Sequence, residues 1–207
     1  MRFLVLLGLL FTVSCASTNM KKEAVVSNAY EVSPIINGAV VPNSMVRNID
    51  GVEVDLNKEL QGKNTVLVFY RGGWCPYCNL QLQGLRKIEK NLNKLGWEIV
   101  GISPDSPASL KESISKNKLT YTLYSDSSAN AAKAFGLAFR VDDKTNKKYL
   151  GYGINLDKAS GESHHILPVP GVYLINSKGE IVFNYIHPNY KIRLKESIIL
   201  NAAKELK

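Results

Sequence analysis

The sequence is poor in cysteine, and its body lacks any long apolar run. Only 3 of the 207 residues are cysteine, which excludes a small fold stapled by several disulfides. Lysine and arginine number 26 against 18 acidic residues, but they are scattered and accompany no nucleic-acid-binding motif, so we expect no nucleic-acid partner. We find no internal repeat and no low-complexity segment. The 45% hydrophobic content indicates an ordinary globular domain.

The first 16 residues have the pattern of an export signal. Arg2 precedes an apolar stretch over 3–11, which is too short to span a bilayer. Small residues permit cleavage after Ala16. Alternatively, the pair before Ala16, Ser-Cys, resembles a bacterial lipoprotein box, in which Cys15 carries the lipid.

We therefore expect a signal peptide over 1–16 of the lipoprotein type, a polar linker over 17–30 and one folded domain over 31–207. The departure from the lipoprotein pattern is Thr12, where an aliphatic residue is usual. The predicted location is the bacterial cell envelope, with the protein tethered to the membrane through Cys15.

Hydrophobic periodicity predicts strands and helices in alternation. Strands are predicted at 51–56, 65–70, 97–103, 120–124, 172–176 and 180–186, and helices at 76–95, 106–118, 128–135 and 192–206. The polar stretch 139–163 is interpreted as an inserted loop or hairpin. Strands joined through helices run parallel with right-handed crossovers. The fold class is therefore α/β, with a central mixed sheet, flanking helices, and an insertion before a C-terminal hairpin and helix.

The most informative segment, Arg-Gly-Gly-Trp-Cys-Pro-Tyr-Cys, lies over 71–78 between a buried strand and an amphipathic helix. Two cysteines separated by two residues at such a junction are a thiol–disulfide signature. Because Pro76 suits the first helical position, Cys75 is the expected N-cap, where backbone N–H groups and the helix dipole favour a thiolate. Cys78 shares the apolar stripe of the helix. We therefore expect Cys75 to be the exposed attacking thiol and Cys78 the shielded resolving thiol.

Less reactive interpretations stay open for these residues. The two cysteines could form a structural disulfide, since export permits oxidation. A zinc site is not expected, because it needs about four ligands and there is no second cysteine pair. We interpret His164, His165 and His187 as surface side chains, and we expect no cofactor and no metal.

The segment WCPYC after a strand resembles the active site of the thioredoxin superfamily, and CPYC matches the dipeptide common in glutaredoxins. The stretches FYRGGWCPYCNLQL, VGISPDSPASLKE, YTLYSDSSANAAKAFGL and LPVPGVYLINSKGEIVFNYIHPNY resemble, in this order, a peroxiredoxin-like branch of the alkyl hydroperoxide reductase/thiol-specific antioxidant family. The resemblance covers about 49–206. It implies a thioredoxin-like fold and a cis bond before Pro170, opposite the cysteines. It also makes Trp74 and Tyr77 an aromatic rim, and Arg71 a candidate to stabilise a thiolate.

The sequence departs from the peroxiredoxin pattern at three places. Aligning the peroxidatic cysteine of that family on Cys78 puts Arg71 where a proline is typical and Cys75 where a threonine is typical. The late strand is preceded by Pro170 and Gly171, where an arginine is typical. These departures disfavour efficient peroxidase chemistry.

Three readings follow. The first is an exported thiol–disulfide oxidoreductase that exchanges disulfides through Cys75 and Cys78, with a protein or small-molecule thiol or disulfide as substrate and a thiol protein as electron donor. The second is a thiol peroxidase, with Cys78 oxidised by peroxide and Cys75 resolving. The third is a copper-binding module that uses the two thiolates with His164, His165 or His187.

Overall fold

A computed structural model describes residues 25–206. The predicted signal peptide and Cys15 lie outside this range. Within it, none of the helices combines the length and the apolar character that crossing a membrane requires.

The described chain contains nine strands, seven α-helices and a 3-10 turn at Ala29–Glu31. In chain order the elements are β1 (Met45–Arg47), β2 (Glu53–Asp55), α1 (Leu56–Leu60), β3 (Asn64–Phe69), α2 (Pro76–Lys94), β4 (Trp97–Ser103), α3 (Pro107–Asn117), β5 (Thr122–Ser125), α4 (Asn130–Ala134), β6 (Ala138–Arg140), α5 (Asp143–Gly151), α6 (Leu156–Ser160), β7 (Ile166–Pro168), β8 (Gly171–Ile175), β9 (Ile181–Ile186) and α7 (Glu196–Glu205).

Seven of the strands form one mixed sheet in the order β2-β1-β5-β4-β3-β8-β9. Strand β4 runs parallel to both β3 and β5, as the helical crossovers require. The other neighbours are antiparallel, including the predicted hairpin of β8 and β9. The expected α/β class with a mixed sheet is therefore confirmed.

Both faces of the sheet are buried, because successive side chains of β3 alternate between two apolar cores. Val66 and Val68 pack with the buried stripes of α2 and α7. Leu67 and Phe69 pack on the opposite face with the aromatic ring of Phe135. The continuous apolar run of β3 is typical of such a central strand, and the end of this strand leads directly to the two cysteines.

The region between α4 and β8 differs most from expectation. Its polar sequence was interpreted as a loop or hairpin, but it forms helices α5 and α6, and β6 pairs with β7 in a separate two-stranded sheet. The reason is that α5 has no buried residue, so its sequence carries no apolar stripe. Side-chain caps begin both helices instead, with Asp142 accepting from the Thr145 N–H and Asn155 from the Lys158 N–H.

Three boundaries also need correction. The strand predicted at 51–56 ends at Asp55, which caps the unpredicted helix α1. The predicted linker over 17–30 is not free of the domain at its end, because Val26 bridges Phe139. The C-terminal helix begins at Glu196 rather than at Ile192.

Candidate active site

The loop from β3 to α2 positions the first cysteine. The Tyr70 N–H continues the sheet ladder by donating to the Ile102 carbonyl oxygen at 3.0 Å. The chain then turns at Gly72, whose φ of +143° is unfavourable for other residues, and a Cβ added there would lie 2.3 Å from the Trp74 Nε1. A Cβ at Gly73 would lie 1.8 Å from the Ser113 Oγ. These close approaches show that the turn between β3 and α2 leaves no room for a side chain at either glycine.

Cys75 occupies the N-cap of α2 and Pro76 its first position, as predicted. Both thiols are free, with no disulfide between them. Cys78 is fully buried, in line with its expected shielding. Cys75 is only 1% exposed, so the expectation of a solvent-facing sulfur is wrong. Trp74, the residue before Cys75, packs against Tyr149 of the insertion.

Two guanidinium groups lie at the sulfurs. The Arg71 Nη1 is 3.9 Å from the Cys75 sulfur, which places Arg71 where it was expected to stabilise a thiolate. The Arg193 Nη2 is 3.5 Å from the Cys78 sulfur. Sequence reasoning missed Arg193, because it stands in the segment before α7, far from the cysteines along the chain, and no local motif marks it.

The surroundings shift the pKa values of the two thiols in opposite directions. The pKa of Cys75 is lowered to about 6, chiefly because the Cys78 thiol donates toward its sulfur, with further help from the Cys78 N–H, Arg71 and Arg193. The pKa of Cys78 is raised well above its ordinary value, first by burial and then by the adjacent Cys75. The opposite directions of these shifts make Cys75 the thiol of the pair that ionises more readily.

The Arg71 side chain is itself held by three aromatic rings. Its Cζ lies 4.9 Å from the ring centre of Trp74, 5.4 Å from Tyr149 and 4.1 Å from Tyr190. Its Nη2 also donates a hydrogen bond to the Tyr149 hydroxyl. Such rings favour a desolvated cation. Tyr149 comes from the insertion and Tyr190 from the loop after β9, so neither was predicted from the sequence.

The predicted aromatic rim is present in part. Tyr77 is 37% exposed and contacts the Tyr190 ring edge-on at 5.8 Å, whereas Trp74 turns inward. A cleft of about 530 Å³ reaches Arg71, with Tyr149, Tyr190 and Pro170 also in its wall.

Pro170 lines the same cleft as Arg71, but its expected cis bond is wrong. No peptide bond among residues 25–206 is cis. Pro170 directly precedes Gly171, the first residue of β8, and a trans proline is tolerated at such a strand start.

A buried carboxyl group lies on the other side of the loop. Asp105, 1% exposed, accepts hydrogen bonds from the Gly73 N–H at 2.8 Å and the Ser103 hydroxyl at 3.0 Å. Burial raises the pKa of Asp105 to about 6, against these two hydrogen bonds, and the Cys75 charge raises it further. Asp105 follows the buried strand β4 by two positions, and no motif in the sequence marks it as part of the site.

The three histidines lie apart from this chemistry. His164 contacts the Ser127 carbonyl oxygen at 2.6 Å, and His165 pairs with Asp157 at 2.7 Å. His187 accepts from the Asn189 N–H. Among residues 25–206 no group of three or more His, Cys, Asp or Glu side chains is placed to hold a metal ion. The copper-binding reading therefore finds no ligand set there.

Comparison with known proteins agrees with this architecture. The AhpC/TSA family matches residues 37–184. Peroxiredoxin Bcp of Escherichia coli K12 is 28% identical over 174 residues, covering 84% of this chain and 99% of that protein. The chloroplastic peroxiredoxin Q of Oryza sativa subsp. japonica is 37% identical over 100 residues, which are 48% of this chain and 46% of that protein.

Solved structures share the fold. Reduced Prx3 of Vibrio vulnificus, crystallised with hydrogen peroxide, superposes with a TM-score of 0.66 at 18% identity, over 82% of this chain and 99% of that one. Peroxidoxin BcpB of Mycobacterium tuberculosis gives 0.62 at 16% identity, over 83% and 97%. The chain belongs to the AhpC/TSA family and is an oxidoreductase of the peroxiredoxin-like branch of the thioredoxin superfamily.

Proposed function

We propose that the protein is a thiol peroxidase in which Cys75 reduces the peroxide and Cys78 resolves the product. The Cys75 thiolate attacks the terminal oxygen of the peroxide, the O–O bond breaks, and the other oxygen leaves and takes a proton. Cys75 is then a sulfenic acid. The Cys78 thiol condenses with it, which releases water and forms the Cys75–Cys78 disulfide. A dithiol protein reduces this disulfide by exchange and returns both thiols.

The observation that carries the proposal is a thiolate that is charged and yet enclosed. Cys75 has a lowered pKa and is 1% exposed. A disulfide in another folded protein cannot reach such a sulfur without an opening of the site, whereas a peroxide is small. This disfavours the first reading, disulfide exchange with a protein substrate. The peroxiredoxins among the relatives support the same choice.

Two arginines supply guanidinium groups at the sulfurs, so the departures from the peroxiredoxin pattern argue less strongly against peroxidase chemistry. An arginine is absent before the late strand, but Arg193 brings a guanidinium to the Cys78 sulfur from another segment, and Arg71 brings one to Cys75. Arginine donors of this kind can stabilise both the thiolate and the oxygen that leaves the peroxide.

The two cysteines exchange the roles that alignment alone assigns. Alignment places Cys78 at the peroxidatic position, but its raised pKa keeps it a neutral thiol, and the thiolate is the nucleophile. Cys75, at the helix mouth with the lowered pKa, is therefore the residue that we expect peroxide to oxidise.

The test is to trap the sulfenic acid with a sulfenate-specific reagent in variants that carry Cys15→Ser and lack one of the two active-site cysteines, while measuring peroxide consumption with a dithiol reductant. Cys78→Ser is expected to accumulate sulfenic acid at Cys75 after one equivalent of peroxide, and Cys75→Ser is expected to accumulate none. Sulfenic acid at Cys78, together with fast peroxide turnover, would show that Cys78 is the peroxidatic cysteine, as the alignment suggests. A mixed disulfide through Cys75 with a protein substrate, without peroxide turnover, would restore the first reading.

We further propose that the protein is exported and acylated at Cys15, on the basis of the N-terminal pattern alone. Detergent partitioning of the intact protein and of Cys15→Ser tests this. Acylation predicts that only the unsubstituted protein enters the detergent phase, so recovery of both in the aqueous phase would refute it.

A further inference from the structure

The carboxyl group of Asp105 is buried next to the redox pair and has no cation to balance it. Asp105 accepts hydrogen bonds from one backbone N–H and one hydroxyl, both uncharged. Within residues 25–206 no lysine, arginine or histidine forms an ion pair with it. A buried carboxylate without a positive partner is costly, and the cost is greater while the neighbouring Cys75 is also negative.

The groups around Asp105 come from five elements. Gly73 and Cys75 belong to the loop before α2, and Ser103 ends β4. Tyr70, directly after β3, is fully buried; burial raises its pKa well above the ordinary value, and Asp105 raises it further. From the helical side, Glu112, Lys116 and Lys158 line the same cavity of about 340 Å³ as Asp105. Through this cavity Asp105 can exchange protons with solvent although its side chain is buried.

We propose that Asp105 takes up a proton when the Cys75–Cys78 disulfide is reduced and gives it up when the disulfide forms again. This rests on the proposed function and specifies its proton balance. The disulfide carries no charge, so Asp105 holds the one negative charge of the oxidised site. Reduction places that charge on the Cys75 sulfur, and this charge repels a carboxylate at Asp105, which is bonded to the same loop at Gly73.

The proposal closes the balance of both half-reactions. A dithiol reductant gives two electrons and two protons as its own disulfide forms. At about pH 6 and below, one proton goes to Cys78 and one to Asp105, and the negative charge of the reduced site stays on the Cys75 sulfur. In the peroxide step the thiolate gives its electron pair to the terminal oxygen, and the departing oxygen takes up one proton. Asp105 supplies this one proton to the departing oxygen, by way of the cavity or the loop, and becomes a carboxylate again.

The experiment measures the equilibrium between the Cys75–Cys78 disulfide and a dithiothreitol buffer from about pH 5 to pH 8, in the full chain and in Asp105→Asn. Thiols are counted by mass after alkylation. The extra proton predicts that lowering the pH favours reduction more strongly in the unsubstituted protein. The ratio of the two equilibrium constants is expected to change by up to tenfold per pH unit near pH 6, which is about 30 mV. The same pH dependence of the equilibrium constant in both proteins would overturn the proposal.

Asp126→Asn is the matched control. Asp126 is also a buried aspartate, 2% exposed, and it accepts hydrogen bonds from the N–H groups of Ala131 and Ala132 at the start of α4. The cysteines are not among the groups that shift its pKa. We expect its curve to follow that of the unsubstituted protein. A change equal to that of Asp105→Asn would make the effect a general loss of buried charge and would overturn the assignment.

Two further measurements keep the test decisive if Asp105→Asn does not fold. Ser103→Ala removes one of the two hydrogen bonds to the carboxylate, so the extra proton uptake is expected to move to higher pH. Infrared difference spectra of the unsubstituted protein, reduced minus oxidised, are expected to gain a protonated-carboxyl band. Absence of that band contradicts the proposal. If peroxide leaves both thiols intact, the proposed peroxidase function itself fails. If the disulfide forms without extra proton uptake, only the proposed role of Asp105 is refuted.

Discussion

The Cys78 thiol is the largest single cause of the low pKa of Cys75, and its removal gives a measurable shift. A hydrogen bond to a charged group contributes about 1.5–3 kcal/mol, and one pKa unit corresponds to about 1.4 kcal/mol. Cys78→Ala is therefore expected to raise the pKa of Cys75 from about 6 to between about 7 and 8. At pH 6.5 the thiolate fraction then falls from about three-quarters to about one-tenth.

The assay is the ultraviolet absorbance of the thiolate as a function of pH, with Cys15→Ser in every sample so that Cys75 is the only cysteine left. Cys78→Ser is the matched comparison, because its hydroxyl can still donate toward the Cys75 sulfur. It is expected to titrate at a lower pH than Cys78→Ala. Equal midpoints near pH 6 in the two variants would show that the arginines and the helix, and not the Cys78 donor, hold the charge on Cys75.

Four further outcomes are expected. Arg193→Gln removes the guanidinium at the Cys78 sulfur and is expected to slow peroxide consumption about tenfold, which is about 1.4 kcal/mol in the activation free energy. Partial recovery is expected in Arg193→Lys. An unchanged rate would show that Arg193 has no role in the reaction. Tyr149→Phe keeps the ring over Arg71 but loses its hydrogen bond, so kcat/KM for peroxide should fall while the urea midpoint changes little; a large loss of stability would mean that the contact is structural. Leu85→Ala empties a fully buried position of α2 and is expected to lower the free energy of unfolding by about 2–5 kcal/mol in urea titrations; a smaller loss would mean that the core collapses around the gap. Burial raises the pKa of Asp126 to about 7, so the folded state binds one more proton than the unfolded state between about pH 4 and pH 7. The free energy of unfolding therefore falls as the pH rises through this window. Asp126→Asn should lose this pH dependence, and an unchanged pH dependence of the free energy of unfolding would contradict the assignment.

The sequence was most predictive where one segment carries its own signals. Helix α2 was located by its apolar spacing, its N-cap Cys75 and the proline at its first position, and the structure begins it at the same residue. The strands β3 and β4 were found because their continuous apolar runs serve a sheet that is buried on both faces. The burial of Cys78 followed from its place on the stripe of α2.

Features that depend on distant segments could not be read in this way. Cys75 was expected to be exposed because the helix mouth faces outward when considered alone, but Trp74 lies under the insertion beside Tyr149. The helix that carries Tyr149 buries no residue, so its periodicity gave no signal. Arg193 is separated from Cys78 by 115 positions, and only the folded sheet and the loop before α7 bring the two together.

The late position of Arg193 has a consequence for synthesis of the chain. Translation produces both cysteines long before it produces the arginine beside Cys78 and the Tyr149 and Tyr190 rings around Arg71. A growing polypeptide therefore presents its sulfurs to the surroundings while part of their charge environment and of their cover does not yet exist. Their protection from unwanted oxidation during that interval has to come from outside the polypeptide.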